Sequence, residues 1–462
     1  MNRIQNTARK WFKPPLERLR IALTSHALQR LRFLKRWQWL DESRAMDLQK
    51  KRLQQLLRHA FDHVSYYRKT LKNAGIVDDS GRVELELFSK IPLLDKDTIH
   101  SNFENLKSDD LLVRKCRLNS SGGSTGKPVN IIQDSAYSDW MHAAKMLFDE
   151  WSGCSIASPK IFLWGSLQDL GGENEPIKMR LMHWLNNEIR LNAFHLTPVE
   201  MAAYAGIINA FQPTQILTYA ESIYEMSRFI KNESIEVYSP DSIMSTAGTL
   251  FPHMRETVEQ VFRTRIFNRY GSREMGDIAC ECDRHEGLHV CMPNHFIEII
   301  REDGEPAVKG ETGEIVVTCL TNYAMPFIRY RIGDMGSWSG RPCSCGRGWP
   351  ILSEVTGRTS DIFLAKDGSR IHGGYFTTLF FYQDWVKKYQ VIQESREHVR
   401  IQLVVDGSVR NPRQVFLREL DAITSKIQMV IGKGCKVEYV FTDDISPTAS
   451  GKYRYTISKI AQ

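Results

Sequence analysis

The sequence predicts an α/β protein: a large, multi-layer N-terminal domain with mostly parallel sheets, followed by a small α+β C-terminal domain. Three observations carry this. Short apolar runs, Lys160–Gly165, Gln215–Tyr219 and Ser242–Gly248, alternate with helical patterns, which is the signature of βαβ units. The last hundred residues change character, with strands expected at 390–394, 398–405 and 435–441 around one helix from Pro412 to Val430. The chain has 462 residues, 42% of them apolar, enough for one large core and a second, smaller one.

Residues 1–40 stand apart. They hold ten Lys/Arg and a single acid, Glu17, for a charge of +9, against −2 for the rest of the chain. Pro14-Pro15 interrupts the segment. The part after Pro15 fits an amphipathic basic helix, read first as a helix packed on the body with a solvated basic face and second as one suited to an anionic membrane surface or a protein groove. No motif with chemistry lies here, so removal of residues 1–40 is expected to leave catalysis intact. Residues 43–75 are helical, with Leu53, Leu56, Leu57, Ala60 and Phe61 recurring at three and four and Gly75 closing the pattern. A short connection and helix occupy 88–110. Helices are then expected at 135–151, 176–188, 200–211, 222–231 and 252–262. Ligands of such a sheet sit at the carboxyl ends of its strands.

Because the basicity belongs to a tail and no basic stripe crosses the body, nucleic acid is excluded as the main partner. No run of eighteen apolar residues exists, so no membrane span is expected. The N-terminus lacks the apolar stretch of a secretory signal. The nine cysteines therefore belong to a reducing compartment, and a cytoplasmic protein, peripheral at most to the inner face of a membrane, is expected.

Two stretches carry chemistry on their own residues. Ser120-Ser121-Gly122-Gly123-Ser124-Thr125-Gly126-Lys127-Pro128 has three glycines, four hydroxyls, one lysine and no carboxylate. Glycine lets backbone N–H groups turn toward an anion, and the hydroxyls and Lys127 add donors, so a di- or triphosphate is the natural guest. The β-branched run after Pro128 makes this a hairpin loop, unlike a Walker A loop, which opens a helix. The second stretch is a set of thiols and imidazoles near 280–290 and 343–345. Cys282-x₂-His285 and Cys343-x-Cys345 make a four-ligand zinc site, with Cys280 and His289 as spare candidates. Four protein ligands leave no place for water, so the metal would be structural.

The glycine-rich stretch resembles the phosphate loop of the adenylate-forming enzymes, [Ser/Thr]-[Ser/Gly]-Gly-[Ser/Thr]-Thr-Gly-x-Pro, and Ser121–Pro128 fits at every specified position. Further elements follow in that family's order. Tyr270-Gly271-Ser272-Arg273-Glu274 resembles Tyr-Gly-x-[Ser/Thr]-Glu, with Arg273 at the hydroxyl position; there the tyrosine lines the adenine site and the glutamate helps hold Mg²⁺. Tyr330-Arg331-Ile332-Gly333-Asp334 resembles the element whose aspartate holds the ribose hydroxyls. Gly357-Arg358-Thr359-Ser360-Asp361 resembles the hinge element, with nucleotide-contacting Arg358, but Ser360 replaces its first aspartate. Ser446-Pro-Thr-Ala-Ser-Gly451-Lys452 resembles the Pro-x-x-x-Gly-Lys loop, whose lysine in that family reaches the acyl carboxylate and α-phosphate. Leu-Leu-Arg-His-Ala at 56–60, Asn192–Thr197 and the Cys/His insert are similar to the phenylacetate-CoA ligase-like branch, which includes enzymes of capsular polysaccharide loci and zinc-holding members. The resemblance implies three parts: the basic segment 1–40, an adenylation domain 41–357, and a lid domain 358–462 joined by a hinge. It implies ATP, Mg²⁺, structural Zn²⁺ and a carboxylic acid, with CoA as the acyl acceptor. The alternatives are delivery to an amine or hydroxyl in polysaccharide biosynthesis, adenylation of a coenzyme, and a non-catalytic scaffold. The acid and the oligomeric state are not encoded in any motif.

Overall fold

The computed structural model describes residues 3–78, 80–120, 129–164, 177–193, 196–358, 362–366, 370–380, 383, 385–405, 409, 411–446 and 454–460. For 3–12, 177–179, 356–358, 362, 370, 372, 374, 377 and 378 it describes the backbone alone. The chain divides into a large unit, 1–332 with 336–355, and a small unit, 333–335 with 356–462.

In the large unit, β1 (Cys116–Ser120) and β2 (Asn130–Asp134) pair antiparallel from Cys116 opposite Asp134 to Ser120 opposite Asn130. The glycine-rich stretch thus joins the two strands of a hairpin, as its flanks predict. Asp134 then caps the helix Ser135–Trp151 by accepting from the Tyr137 N–H at 2.8 Å. An eleven-stranded sheet follows: β3 (Lys160–Trp164), β4 (Glu188–Asn192), β5 (Gln215–Tyr219), β6 (Ser242–Thr246), β7 (Ile266–Ser272), β8 (Gly276–Glu281), β9 (Leu288–Val290), β10 (His295–Ile300), β11 (Thr312–Cys319), β12 (Tyr330–Trp338) and β13 (Ile351–Arg358). Its spatial order is β4-β3-β5-β6-β7-β8-β9-β13-β12-β11-β10. Pairings from β4 through β7 are parallel, and those of β7 with β8, β8 with β9, β9 with β13 and β10 with β11 are antiparallel.

Helices connect the parallel strands, of which β3, β5 and β6 are buried on both faces and therefore read as mostly apolar runs. The helix Pro198–Phe211 starts from a reciprocal capping box between Thr197 and Glu200. β4 was not anticipated: its sequence, Glu-Ile-Arg-Leu-Asn, is half-buried at the sheet edge and lacks a long apolar run.

The basic segment is part of this body. It forms helices Arg3–Thr24 and Ala27–Trp37, the first continuing through Pro14 and Pro15. On either side of the prolines, Lys13 Nζ donates to the Trp184 carbonyl at 2.6 Å and Glu17 pairs with Arg20. Ile21, Ala27, Leu31, Leu34 and Trp37 are buried with Trp140, Phe148 and Trp151 of the helix Ser135–Trp151. Burial of each such large apolar side chain stabilises by roughly 1.5–3 kcal/mol. The segment follows the first of its two readings, a helix packed on the body, and it fills core volume there.

In the small unit, β14 (Ile362–Leu364) pairs with β15 (Arg370–His372). A four-stranded sheet runs β18-β17-β16-β19, formed by β16 (Val386–Ser395), β17 (His398–Val405), β18 (Lys436–Phe441) and β19 (Thr456–Ser458). The helix Leu417–Ile431 turns Leu420, Ile423, Ile427 and Ile431 into the core of this unit.

Candidate functional site

Glu274 lies in the turn between β7 and β8 and is only 8% exposed. That turn is built by glycines. A Cβ at Gly271 would fall 2.3 Å from the Gly276 carbonyl oxygen. Gly276 itself has φ +73°, with Met141 and Tyr137 where a side chain would go. Tyr270 is half-buried on β7, just before the irregular pairing that lets the strand bend.

The hairpin that carries the glycine-rich loop is fastened to this turn. Gln133 on β2 donates to the carbonyls of Arg273 (3.2 Å) and Glu274 (3.4 Å), and Asn119 on β1 donates to Arg273 O (3.3 Å). Asn119 also donates to Gln133 Oε1 at 3.1 Å, joining the two clamps. Tyr137 Oη donates to Glu274 O at 3.4 Å, and Asn322 Nδ2 ties Ile132 O (2.9 Å) to Met325 O (3.0 Å). The backbone of the glutamate turn is thus held by Asn119, Gln133 and Tyr137, while among the described residues none hydrogen-bonds or ion-pairs with the Glu274 carboxylate. A buried carboxylate left open in this way suits Mg²⁺, which takes one or two carboxylates plus substrate phosphates.

Asn119, Gln133 and Asn322 were not identified from the sequence. The signal existed for Gln133, a glutamine on an otherwise apolar inward position of a strand, 1% exposed.

Asp334 lies half-buried on β12, next to Gly333 with φ +83°. Its neighbours in the motif have structural tasks: Tyr330 is buried, and Arg331 clasps Glu314 through Nε and Nη2. Arg358 ends β13, where only the backbone is described. Ser121–Gly126, Lys127, Ser360, Asp361 and Lys452 fall outside the described residues.

At the sulfur-rich site, Cys282, His289, Cys343 and Cys345 bring their ligand atoms within 4.8 Å of one another. Cys282 Sγ is 3.6 Å from Cys343 Sγ, and Cys345 Sγ is 3.4 Å from His289 Nε2. A tetrahedral zinc with Zn–S about 2.3 Å and Zn–N about 2.0–2.1 Å requires S···S near 3.8 Å and S···N near 3.6 Å. The donor set therefore fits zinc. Around it, His289 Nδ1 faces the Trp349 carbonyl at 3.3 Å, which leaves Nε2 for the metal. The N–H groups of Arg284 and Arg347 donate to Cys282 and Cys345. Burial opposes ionisation of Cys345, but the bonds from His289 and Arg347 outweigh it and bring the thiol down to about 6.

His285 is not in this group, and the expected ligand set is corrected there. Cys282 follows the last residue of β8, and the chain then turns through His285 at φ +54°. The His285 ring is sent back along β8, where Nδ1 meets Glu281 Oε2 at 3.0 Å and the ring leans on Phe267. His289 returns on β9, whose antiparallel register sets it opposite Cys280. Cys280 points into the core against Met244.

The knuckle is enclosed by the N-terminal segment. Gln38 Oε1 accepts from Trp151 Nε1 and Arg347 Nε, both at 2.9 Å, and Gln38 O accepts from Gly348 N at 2.9 Å. The Arg347 guanidinium sits between the rings of Trp39 (4.9 Å) and Trp151 (4.7 Å). A second group, His59, His63 and Asp110, also lies close together. Its members are engaged elsewhere: His59 with Tyr323 O, His63 with Asp109, and Asp110 with Arg114.

Residues 363–459 match the CapK C-terminal domain family. The chain is 21% identical to protein CapK of Staphylococcus aureus over 431 residues, covering 90% of this chain and 89% of that one. It is 24% identical to the phenylacetate-coenzyme A ligase of Thermus thermophilus over 347 residues (71% and 73%), and 25% identical to that of Escherichia coli over 339 residues (71% and 74%). In fold it is similar to the crystal structure of 2-hydroxyisobutyryl-CoA ligase in the postadenylation state, with TM-score 0.73, 15% identity and 92% of each chain covered. The fold is that of acyl-CoA ligases of the adenylate-forming superfamily. The homologues of the chain include protein CapK and the phenylacetate-CoA ligases.

Proposed function

We propose that the protein activates a carboxylic acid with ATP, forming acyl-adenylate and pyrophosphate, and then transfers the acyl group to an acceptor, the thiol of CoA. The observation that carries this is the fastening of the hairpin bearing the glycine-rich loop to the turn bearing Glu274, through Asn119 and Gln133. It couples a loop suited to phosphates with an open buried carboxylate.

In the first step the acid's oxygen attacks the α-phosphorus, the bond to the β-phosphate oxygen breaks, and pyrophosphate leaves. The chemical demand is charge stabilisation at the phosphates, met best by donors fixed in advance. The backbone and hydroxyls of Ser121–Gly126 and the ammonium of Lys127 are assigned to the β- and γ-phosphates, and Lys452 to the α-phosphate and the acid. Glu274 would hold Mg²⁺, which supplies positive charge to the phosphates. Tyr270 is assigned to the adenine, Asp334 to the ribose hydroxyls and Arg358 to the nucleotide. Cys282, His289, Cys343 and Cys345 would hold Zn²⁺ in a structural role, tying the end of β8 to the segment before β13.

A second reading keeps the activation step and changes the acceptor to an amine or hydroxyl. It is favoured by the match of the small unit to the CapK C-terminal domain, and by the wider cover of this chain by CapK than by the phenylacetate-CoA ligases. The test is pyrophosphate release and mass detection of acyl-AMP with a panel of carboxylic acids, with and without CoA. Acyl-AMP consumed on adding CoA supports the first reading. Acyl-AMP that persists with CoA and is consumed by an amine or hydroxyl supports the second. Adenylation of a coenzyme instead of an acid, or no pyrophosphate with any acid, overturns both.

A further inference from the structure

We infer that the outward face of the first helix, Arg3–Thr24, is a docking surface for an anionic lipid bilayer. This helix packs through one face: Lys13, Glu17 and Ile21, one turn apart from each other, are buried. On another face Leu16, Leu19 and Leu23 recur at three and four and are 50%, 57% and 77% exposed. A surface helix normally turns polar residues outward and one apolar stripe inward; this helix leaves an apolar stripe in solvent. Trp184, 56% exposed, stands beside it, with the Lys13 ammonium 4.4 Å from its ring.

The charges carried by residues 1–40 are nearly all of one sign. Glu17 is the single acid of residues 1–40, and it is buried and bonded to Arg20. Lys35 is neutralised by Glu150 and Arg30 lies over Trp140. Arg18 on this helix and Arg32 and Arg36 on the next remain exposed. An apolar stripe flanked by uncompensated basic groups matches the boundary between anionic headgroups and acyl chains, where such a helix lies in the plane of the surface. The exposed Arg18 within the stripe disfavours a second copy of the same face, since like charges would meet across the two-fold axis. No described helix is long and apolar enough to cross a membrane, so the contact is superficial.

The inference is independent of the reaction proposed above, and flotation of the full-length protein with vesicles tests it. Vesicles of phosphatidylcholine containing phosphatidylglycerol should carry the protein at low salt and release most of it at high salt, because surface charge is screened. Phosphatidylcholine alone should not carry it. The double variant Leu19→Glu/Leu23→Glu should bind at least about tenfold less, with an unchanged melting temperature because both side chains are exposed. Arg18→Ala should weaken binding by about fivefold, the worth of one basic residue near an anionic surface. Absence of flotation at low salt, equal binding to neutral vesicles, or full binding by the double-glutamate variant overturns the inference. So does a dimeric mass by light scattering that the double variant reduces to a monomer, because the stripe is then an interface between copies.

Discussion

The hairpin β1–β2 and the cysteine–histidine knuckle serve the same half of the molecule in opposite ways. The hairpin is local: its strands lie ten residues apart, and much of β1 is exposed, including Leu118 at 67%. It becomes precise at its base, where Asn119 and Gln133 hold the backbone of the glutamate turn. The knuckle draws its ligands from positions 282, 289, 343 and 345 and is closed by Gln38 and Trp39 from the other end of the chain. The hairpin, where the nucleotide phosphates are proposed to bind, is fixed at its root. A site that must hold shape is closed on all sides.

The largest expected effect comes from breaking the enclosure. Deletion of residues 1–40 removes Ile21, Ala27, Leu31, Leu34 and Trp37 from the core and Gln38 from Arg347. It should abolish soluble folded protein, as size-exclusion chromatography and circular dichroism would show; a folded, active truncation would mean that the segment merely rests on the body. Next is the open site. Lys452→Ala should slow acyl-AMP formation by about two to three orders of magnitude, the usual cost of one preorganised donor, while transfer from presynthesised acyl-AMP changes much less. Near-normal adenylation would remove Lys452 from the chemistry.

The knuckle then separates two histidines that sit close together in the chain, one in the turn after β8 and one on β9. His289→Ala and Cys343→Ser should lose zinc and lower the melting temperature, whereas His285→Ala should keep zinc near one per chain by metal analysis. Equal loss in both histidine variants would restore the ligand set expected from spacing. The effect on stability should be only part of the about 10–16 kcal/mol that structural zinc contributes in small peptides, because this unit has its own core.

The smallest effect is a pH slope. Burial holds His295, whose Nε2 faces Met275 O at 2.8 Å, down at about 4, against 6.5 in the unfolded chain. A group depressed on folding contributes stability above its unfolded value, and that stability is lost as pH falls from 6.5 toward 4, by up to about 1.4 kcal/mol per unit. Denaturant melts of His295→Gln should show a shallower loss over that window. An unchanged slope would assign the acid sensitivity to other groups, of which His253, also brought down to about 4 by burial, is the first to examine.

Features local to the chain are legible in its residues. The parallel strands, the helices between them, the hairpin around the glycine-rich loop and the small α+β unit all follow from periodicity and turn residues, which act over a few positions. β4 escaped because an edge strand needs no long apolar run. Asn119 and Asn322 escaped because backbone carbonyls, which they hold, leave no mark in a sequence, whereas Gln133 left one, an amide at an inward position of an apolar strand.

The residue types decided more than their spacing did. The cysteines and histidines near 280–290 and 343–345 were enough to expect a cluster of soft ligands, and such a cluster forms. Which histidine joins them depended on the turn after β8 and the register of β9, which carry one ring back toward Glu281 and the other toward Cys345. The N-terminal segment shows the same division. Its charge and its apolar residues are plain in the sequence, and they specify a basic amphipathic helix. Which apolar residues turn inward, and which remain in solvent, was decided only when Trp140, Phe148 and Trp151 offered Ile21, Leu31, Leu34 and Trp37 a surface to cover.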